Sequence, residues 1–211
     1  REAAQVGEAL VERQLVHLEV ARVQHGPAAG GDDDRDGVRN RVIDGQELAR
    51  EAAIRSITLL TNRGALPLAP TIRRVAVIGP MAANGAELSG PWAGAARLGA
   101  PTTVLDALKA ALPDCDVRFH EGVSFQGGDR KGIADACAIC CGVEAIVICV
   151  GETAGMSGEA ASRAAPVLPG LQRELAEAVM GHGVPVIAVG IVSATLTPVA
   201  FDGPLFETTI V

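Results

Sequence analysis

The sequence predicts an α/β fold: a doubly wound, mostly parallel sheet with helices on both faces, as a three-layer sandwich. Segments with the pattern of buried strands alternate along the chain with segments that have a helical apolar face. Only 2% of the residues are aromatic, with no Tyr and a single Trp. The core volume must therefore come from Val, Ile, Leu and Ala, which is typical of a parallel sheet covered on both faces.

The chain of 211 residues is long enough for one domain and an extension. Residues 2–24 have the pattern of an amphipathic helix, and residues 26–37 are rich in Gly and Asp, as in a linker. We therefore expect a boundary near residue 45, with an N-terminal extension in residues 1–45 and the α/β domain in residues 46–211.

From residue 46 the expected elements follow in order. The first is a helix with Leu48, Leu59 and Leu60 on its apolar face, ended by the turn at residues 62–64. The later strands are expected at residues 74–80, 116–120, 145–151, 184–190 and 206–211, and the later helices at residues 104–112, 133–142 and 171–182.

Ligands of a doubly wound sheet bind beyond the carboxyl ends of its strands, which here indicates the loops after Gly79, Gly151 and Gly190. The loop after Gly151 carries two carboxylates, Glu152 and Glu159, in the sequence GETAGMSGEAASR. A carboxylic acid in such a loop can protonate a leaving group if burial or a neighbouring carboxylate raises its pKa. The alternative is a solvated surface loop with two ordinary glutamates.

Several stretches, taken in order along the chain, resemble the parts of one known domain. Residues 72–80 resemble its opening strand, and residues 49–62 resemble the helix that leads into it. The segment at residues 90–92, Gly-Pro-Trp, is similar to its Trp-bearing turn, and the sequence SGEAASR at residues 157–163, with Leu-Pro at residues 168–169, resembles its catalytic loop. Together these stretches resemble the C-terminal domain of family 3 glycoside hydrolases.

In that family an N-terminal barrel carries an aspartate nucleophile and the C-terminal domain supplies an acid/base glutamate. The resemblance therefore implies that Glu159 is the acid/base residue and Glu152 a supporting carboxylate. It implies that Arg163 is a partner for Glu159 or for a sugar hydroxyl, that Trp92 is a ring on which a sugar stacks, and that Ser157 belongs to the substrate-binding residues. The implied reaction is hydrolysis of terminal β-linked sugars, with a carbohydrate substrate and no cofactor.

The sequence departs from the family pattern at several points. No barrel precedes the domain in these residues, so we expect the nucleophile to be absent and the isolated chain to turn over little. Ala165 stands where the family usually has an acidic residue, and residues 191–196 replace its common Asn-Gly-Arg-Pro-Leu turn. Residues 1–45 match nothing in the family, as a fusion or a shifted reading frame would.

Two other functions are compatible with the residues. The segment at residues 155–159, GMSGE, is similar to a nucleophile elbow, but its fifth position is Glu159 instead of Gly. A free-standing hydrolase of esters or lactones would use Ser157, with His120 or His182 as the base, although each His has a simpler interpretation as a structural residue at the end of an element. The other possibility is a non-catalytic binding domain.

Two patterns indicate metal sites only weakly. Asp32, Asp34 and Asp36 have the alternation that starts a calcium loop, but the twelfth position is Ile43, not the bidentate Glu. Five cysteines, at positions 115, 137, 140, 141 and 149, include a C-x-x-C-C segment. Since no second Cys/His pair stands at ligand spacing, we expect buried, inert thiols in a helix that packs on the sheet.

The net charge of −7 and the lack of a Lys/Arg cluster argue against a nucleic-acid partner. No apolar run reaches membrane-spanning length, so no membrane partner is expected. The lack of a signal pattern and the odd number of cysteines slightly favour a cytoplasmic location. A domain that normally covers a barrel should expose an apolar patch when alone, so we also expect homo-oligomers to form through that surface.

Overall fold

The computed structural model describes residues 48, 50–90, 101–127, 130–156, 158, 161–163, 167–191 and 208–210. Within them the helices are α1 (residues 50–56), α2 (Val104–Ala111), α3 (Arg130–Ile139) and α4 (Gln172–Met180). The strands are β1 (Leu59–Asn62), β2 (Arg74–Ile78), β3 (Asp116–His120), β4 (Ala145–Gly151), β5 (Val186–Ile191) and β6 (Thr208–Ile210). No helix in this part of the chain is long and apolar enough to cross a membrane.

The described strands form one sheet in the order β1-β6-β5-β4-β2-β3. Strands β3, β2, β4, β5 and β6 pair in parallel, and β1 pairs antiparallel with β6 at the opposite edge. From β2 the chain first moves to one side, to β3, and then returns to the other side, to β4. The switch point therefore lies between β2 and β4, where a doubly wound sheet opens a crevice at its carboxyl edge.

Two apolar clusters cover the two faces of the sheet, because successive strand residues point to opposite sides. On one face, alternate residues of β2 and β4 pack with α3 and α4 in a cluster that includes Ile78, Ile148 and Leu175. On the other face, the intervening strand residues pack with α2 in a cluster that includes Val77, Cys149 and Leu105. The predicted α/β fold with helices on both faces of a mostly parallel sheet is confirmed.

The prediction that Leu59 and Leu60 belong to the first helix is wrong. That helix ends at residue 56, and Leu59 and Leu60 lie in β1, where Leu60 is 45% exposed. The β-branched pair Ile57-Thr58 disfavours continuation of a helix. A strand at this position gains backbone hydrogen bonds from β6, with an irregularity in register between Leu59 and Thr61.

The other elements lie close to their expected bounds. β3 and β4 have the predicted limits, whereas α3 begins and ends three residues earlier than predicted. The segment after α3 is therefore a turn, in which Cys140 is buried and Cys141 is exposed. The expectation of buried thiols thus holds for Cys140 and Cys149 and is wrong for Cys141. Arg118 donates from Nη1 to the backbone oxygen of Cys141 at 2.9 Å, which helps fix this turn.

Candidate functional site

The carboxyl ends of β2 and β4 meet at the switch point, and Gly79 determines how the chain leaves β2. Gly79 has a φ of +112°, which L side chains rarely adopt, and a Cβ at this position would lie 2.1 Å from the backbone oxygen of Cys149. Glycine therefore lets the chain turn tightly over β4. The residues that follow, Met81 and Ala82, are buried at this edge.

The end of β4 extends beyond the paired part of β2 and is stabilised by a buried side chain. The fully buried Gln172, at the start of α4, accepts from the backbone N–H of Gly151 and donates to its carbonyl, both at 2.9 Å. Burying the N–H and C=O groups of Gly151 without hydrogen-bond partners would cost free energy. The Gln172 amide makes the two hydrogen bonds that a neighbouring strand would otherwise make. The point from which the next loop departs is thereby fixed.

That loop contains a partly buried ion pair. Arg163 contacts Glu152 through Nη1 and Oε1 at 2.6 Å, and the two side chains are 24% and 12% exposed. Arg163 also donates from Nη2 to the backbone oxygen of Val167 at 2.6 Å, and its Nη1 approaches the Met156 sulfur at 3.9 Å. The pair joins the start of the loop to residue 163, so the two ends of the segment that contains residue 159 lie close together.

A second carboxylate, that of Glu87, reaches the same loop from the other side of the switch point. Glu87 begins the 3-10 helix Glu87–Ser89 in the loop after β2, and its Oε2 accepts from the backbone N–H of Ala154. Glu87 was not among the site residues predicted from the sequence. The available signal was its place after Gly79, in one of the loops indicated as ligand-binding, but nothing local distinguishes this glutamate from a solvated one.

The structure thus brings together Glu152 and Arg163 among the predicted site residues. Trp92, Ser157 and Glu159 lie outside the described residues, as do the calcium candidates Asp32, Asp34 and Asp36. On either side of Glu159, Gly158 has a φ of +103°, and the N–H of Ala161 donates to the oxygen of Gly158 at 3.2 Å.

The two histidines considered as bases lie in or next to turns: His120 ends β3, and His182 follows α4. The Nδ1 of His120 accepts from the backbone N–H of Gly122 at 2.9 Å, which shapes the turn after β3. The backbone N–H of His182 donates to the carbonyl of Val179 in the turn that ends α4.

The cysteines do not form a metal centre among the residues that the structure describes, where no group of three metal-binding side chains occurs. Burial raises the pKa of the Cys149 thiol to about 12. Burial, reinforced by the nearby Cys137 and Cys141, also raises the pKa of the Cys140 thiol to about 12. Both thiols are therefore protonated and unreactive at neutral pH.

Comparisons with known proteins agree with this architecture. Residues 57–202 match the model of the glycosyl hydrolase family 3 C-terminal domain. The "Probable exo-1,4-beta-xylosidase xlnD" of Aspergillus terreus is 34% identical over 149 residues, which cover 71% of this chain and 18% of that protein. The periplasmic beta-glucosidase of Salmonella typhimurium is 30% identical over 165 residues, which cover 67% of this chain and 21% of that protein.

Solved structures show the same relationship. A GH3 exo-beta-xylosidase (XlnD), solved with a xylobiose aziridine probe, superposes with a TM-score of 0.68 at 25% identity, over 81% of this chain and 22% of that chain. A beta-glucosidase from Erythrobacter marinus gives a TM-score of 0.68 at 26% identity, over 79% of this chain and 26% of that chain. The chain spans about a fifth of the length of the curated relatives it matches.

The matched segment contains β1 to β5 and every residue of the site at the switch point, and it covers more than half of the chain. The chain therefore belongs to glycoside hydrolase family 3 and contains the C-terminal domain of that family.

Proposed function

We propose that this domain supplies the acid/base group and part of the sugar-binding surface of an exo-glycosidase that removes terminal β-linked sugars. Glu159 protonates the oxygen of the leaving group, while an aspartate on a family 3 barrel attacks the anomeric carbon. In the second step Glu159, now a carboxylate, takes a proton from the attacking water. A retaining reaction of this kind places its two carboxyl groups roughly 5–5.5 Å apart.

The ion pair between Glu152 and Arg163 is the observation that carries this proposal. The carboxylate of Glu152 is engaged by a guanidinium at 2.6 Å and is only 12% exposed. This contact suits Glu152 to shape the loop and leaves Glu159 as the better candidate for proton transfer. It also joins residue 152 to residue 163, in a stretch whose composition alone is typical of a solvated surface loop.

The names of the relatives support a proposal for the substrate class. Those compared above are named as an exo-1,4-beta-xylosidase and as beta-glucosidases, so we propose a terminal xylose or glucose in a β-linkage as the substrate class. The stereochemistry at the anomeric carbon is the feature that these names share. Trp92, which follows Glu87 in the loop after β2, would stack on the sugar ring.

Two classes of leaving group test the role of Glu159. The chain is joined to the N-terminal barrel of a family 3 relative and assayed with aryl β-xylosides and β-glucosides of increasing leaving-group pKa. Because a good leaving group needs little protonation, Glu159→Gln should lower kcat/KM by about 10²–10⁴-fold for the poorest leaving groups and much less for dinitrophenyl glycosides.

The matched control is Glu152→Gln in the same protein. Breaking the ion pair should lower the activity by a similar factor for all leaving groups, because it disturbs the loop and not the proton transfer. If Glu159→Gln lost activity equally for all leaving groups, and the loss in Glu152→Gln grew with the leaving-group pKa, then Glu152 would be the acid/base residue and Glu159 would shape the loop. Equal activity of Glu159→Gln and the unmodified protein would refute the proposal.

A further inference from the structure

Glu87 makes a contact that the reaction proposed above does not use. Its carboxylate and the N–H of Ala154 are 67 residues apart in sequence, and their hydrogen bond spans the switch point between the loops after β2 and β4. Ala154 is the first residue of the 3-10 helix Ala154–Met156, which directly precedes Ser157, Gly158 and Glu159. The N–H groups in the first turn of a helix lack partners within the helix, so Ala154 requires an acceptor from elsewhere.

Glu87 is itself held in place. The side-chain oxygen of Asn84 accepts from the backbone N–H groups of Ala86, at 3.1 Å, and Glu87, at 3.4 Å. The N–H of Gly90 donates to the carbonyl of Glu87 at 3.1 Å and closes the 3-10 turn. The carboxylate is thus presented from an ordered turn, so the contact with Ala154 transmits the position of one loop to the other.

The other contacts at the start of the β4 loop act within their own part of the chain. Gln172 fixes Gly151 from α4, and Arg163 joins Glu152 to the far end of the same loop. Among the described side chains, Glu87 is the one that hydrogen-bonds this loop from the loop after β2. In sequence, the loop after β2 continues to Trp92, and the loop after β4 continues to Glu159.

We propose that Glu87 is a positioning residue that couples these two loops by capping the 3-10 helix at Ala154. The inference rests on the proposed function, in which the two loops present Glu159 and Trp92 to one sugar. Glu87 acts through the backbone of Ala154 and does not itself touch the substrate. Loss of the Glu87 carboxylate would remove the hydrogen bond that holds the 3-10 helix Ala154–Met156 in the loop after β4, and would leave the fold of the sheet intact.

The amide signal of Ala154 in ¹H–¹⁵N spectra of the 211-residue chain gives a direct test. A carboxylate acceptor moves the amide proton of its donor downfield, so the Ala154 signal should lie further upfield in both Glu87→Gln and Glu87→Ala. In Glu87→Gln, whose side-chain carbonyl can still accept, the amide should stay protected from hydrogen exchange. In Glu87→Ala, exchange at Ala154 should rise about tenfold, and the signals of Gly158 and Ala161 should move.

Glu121→Ala is the matched control, because it removes an exposed carboxylate from the loop after β3. It should leave the chemical shift and the exchange rate of the Ala154 amide unchanged. An Ala154 signal that does not move in Glu87→Gln, or unchanged Gly158 and Ala161 signals in Glu87→Ala, would overturn the proposal. None of these measurements needs a sugar. The glycosidase proposal is tested separately by the leaving-group kinetics, so its failure would not change the result at Ala154.

Discussion

The carboxylate of Glu144 closes the amino end of the sheet between β2 and β4. Its Oε2 accepts from the backbone N–H groups of Arg73, at 2.7 Å, and Arg74, at 3.0 Å. These two hydrogen bonds, followed by the charges of Arg74 and Arg73, hold the pKa of Glu144 below its usual value of 4.5. Nothing in the local sequence predicts this contact, because donors and acceptor are about 70 residues apart.

A depressed pKa in the folded state makes stability depend on pH. The contribution of Glu144 is fully present above pH 4.5, its ordinary pKa, and is lost as the pH falls through the lower pKa of the folded state. We expect Glu144→Gln to be less stable than the unmodified chain at pH 7 and the difference to shrink toward pH 3. Urea unfolding at several pH values measures it, and a difference that stays constant with pH would contradict the assignment.

Gln172 is a polar side chain in an otherwise apolar cluster, and its amide satisfies both backbone groups of Gly151. In Gln172→Leu those groups would lose their partners without gaining water. We expect the free energy of unfolding to fall by about 2 kcal/mol or more. Gln126→Leu, at an exposed position, is the control and should change stability by about 0.5 kcal/mol or less. Equal effects in the two variants would show that the Gly151 contact contributes nothing.

At the scale of the element, the turn that ends β2 contains a glycine, Gly79, whose comparison with Gly64 distinguishes the cost of backbone strain from that of steric clash. Gly79 and Gly64 have similar φ angles, +112° and +101°, but a Cβ would meet the backbone oxygen of Cys149 at Gly79 and nothing within 4 Å at Gly64. Gly64→Ala should therefore cost only the strain of a positive φ, about 1 kcal/mol. Gly79→Ala should cost several times more, measured by urea unfolding. Similar costs would mean that the two backbones can relax equally.

Elements were predictable where the signal is local. β4 is buried over its whole length and its sequence AIVICVG is a continuous apolar run, so both its limits were predicted. β1 was not predictable, because its strand conformation depends on β6, more than 140 residues later in the chain. The local pattern at Leu59 and Leu60 fits one face of a helix, and only the distant pairing partner decides between helix and strand.

Across the whole molecule, the sequence could predict only part of the site. Glu152 and Arg163 belong to one loop, so the resemblance could assign both to the site, but the partner predicted for Arg163 was Glu159 or a sugar hydroxyl, and the contact with Glu152 was not predicted. The contact between Glu87 and Ala154 arises only when the chain reverses direction at β2 and brings two loops to one crevice. Topology predicted the edge of the sheet at which such contacts form, but not the side chains that make them.

β6, the last of the described strands, pairs with β1 from the start of the matched segment and with β5 from near its end. β6 lies between β1 and β5, antiparallel to the first and parallel to the second. A chain that ends at residue 205 would therefore lose the pairing of β1 and expose the edge of β5.

Unpaired strand edges lower stability and promote association between molecules. We expect this truncated chain to unfold at lower urea concentration and to show faster hydrogen exchange at those N–H groups of residues 187–189 that face β6, with little change in β2 and β3. A chain that begins at residue 46 is the control, since it removes only the predicted extension and should keep the original unfolding midpoint. If the chain ending at residue 205 unfolded at the same urea concentration with unchanged exchange in β5, the placement of β6 between β1 and β5 would be wrong.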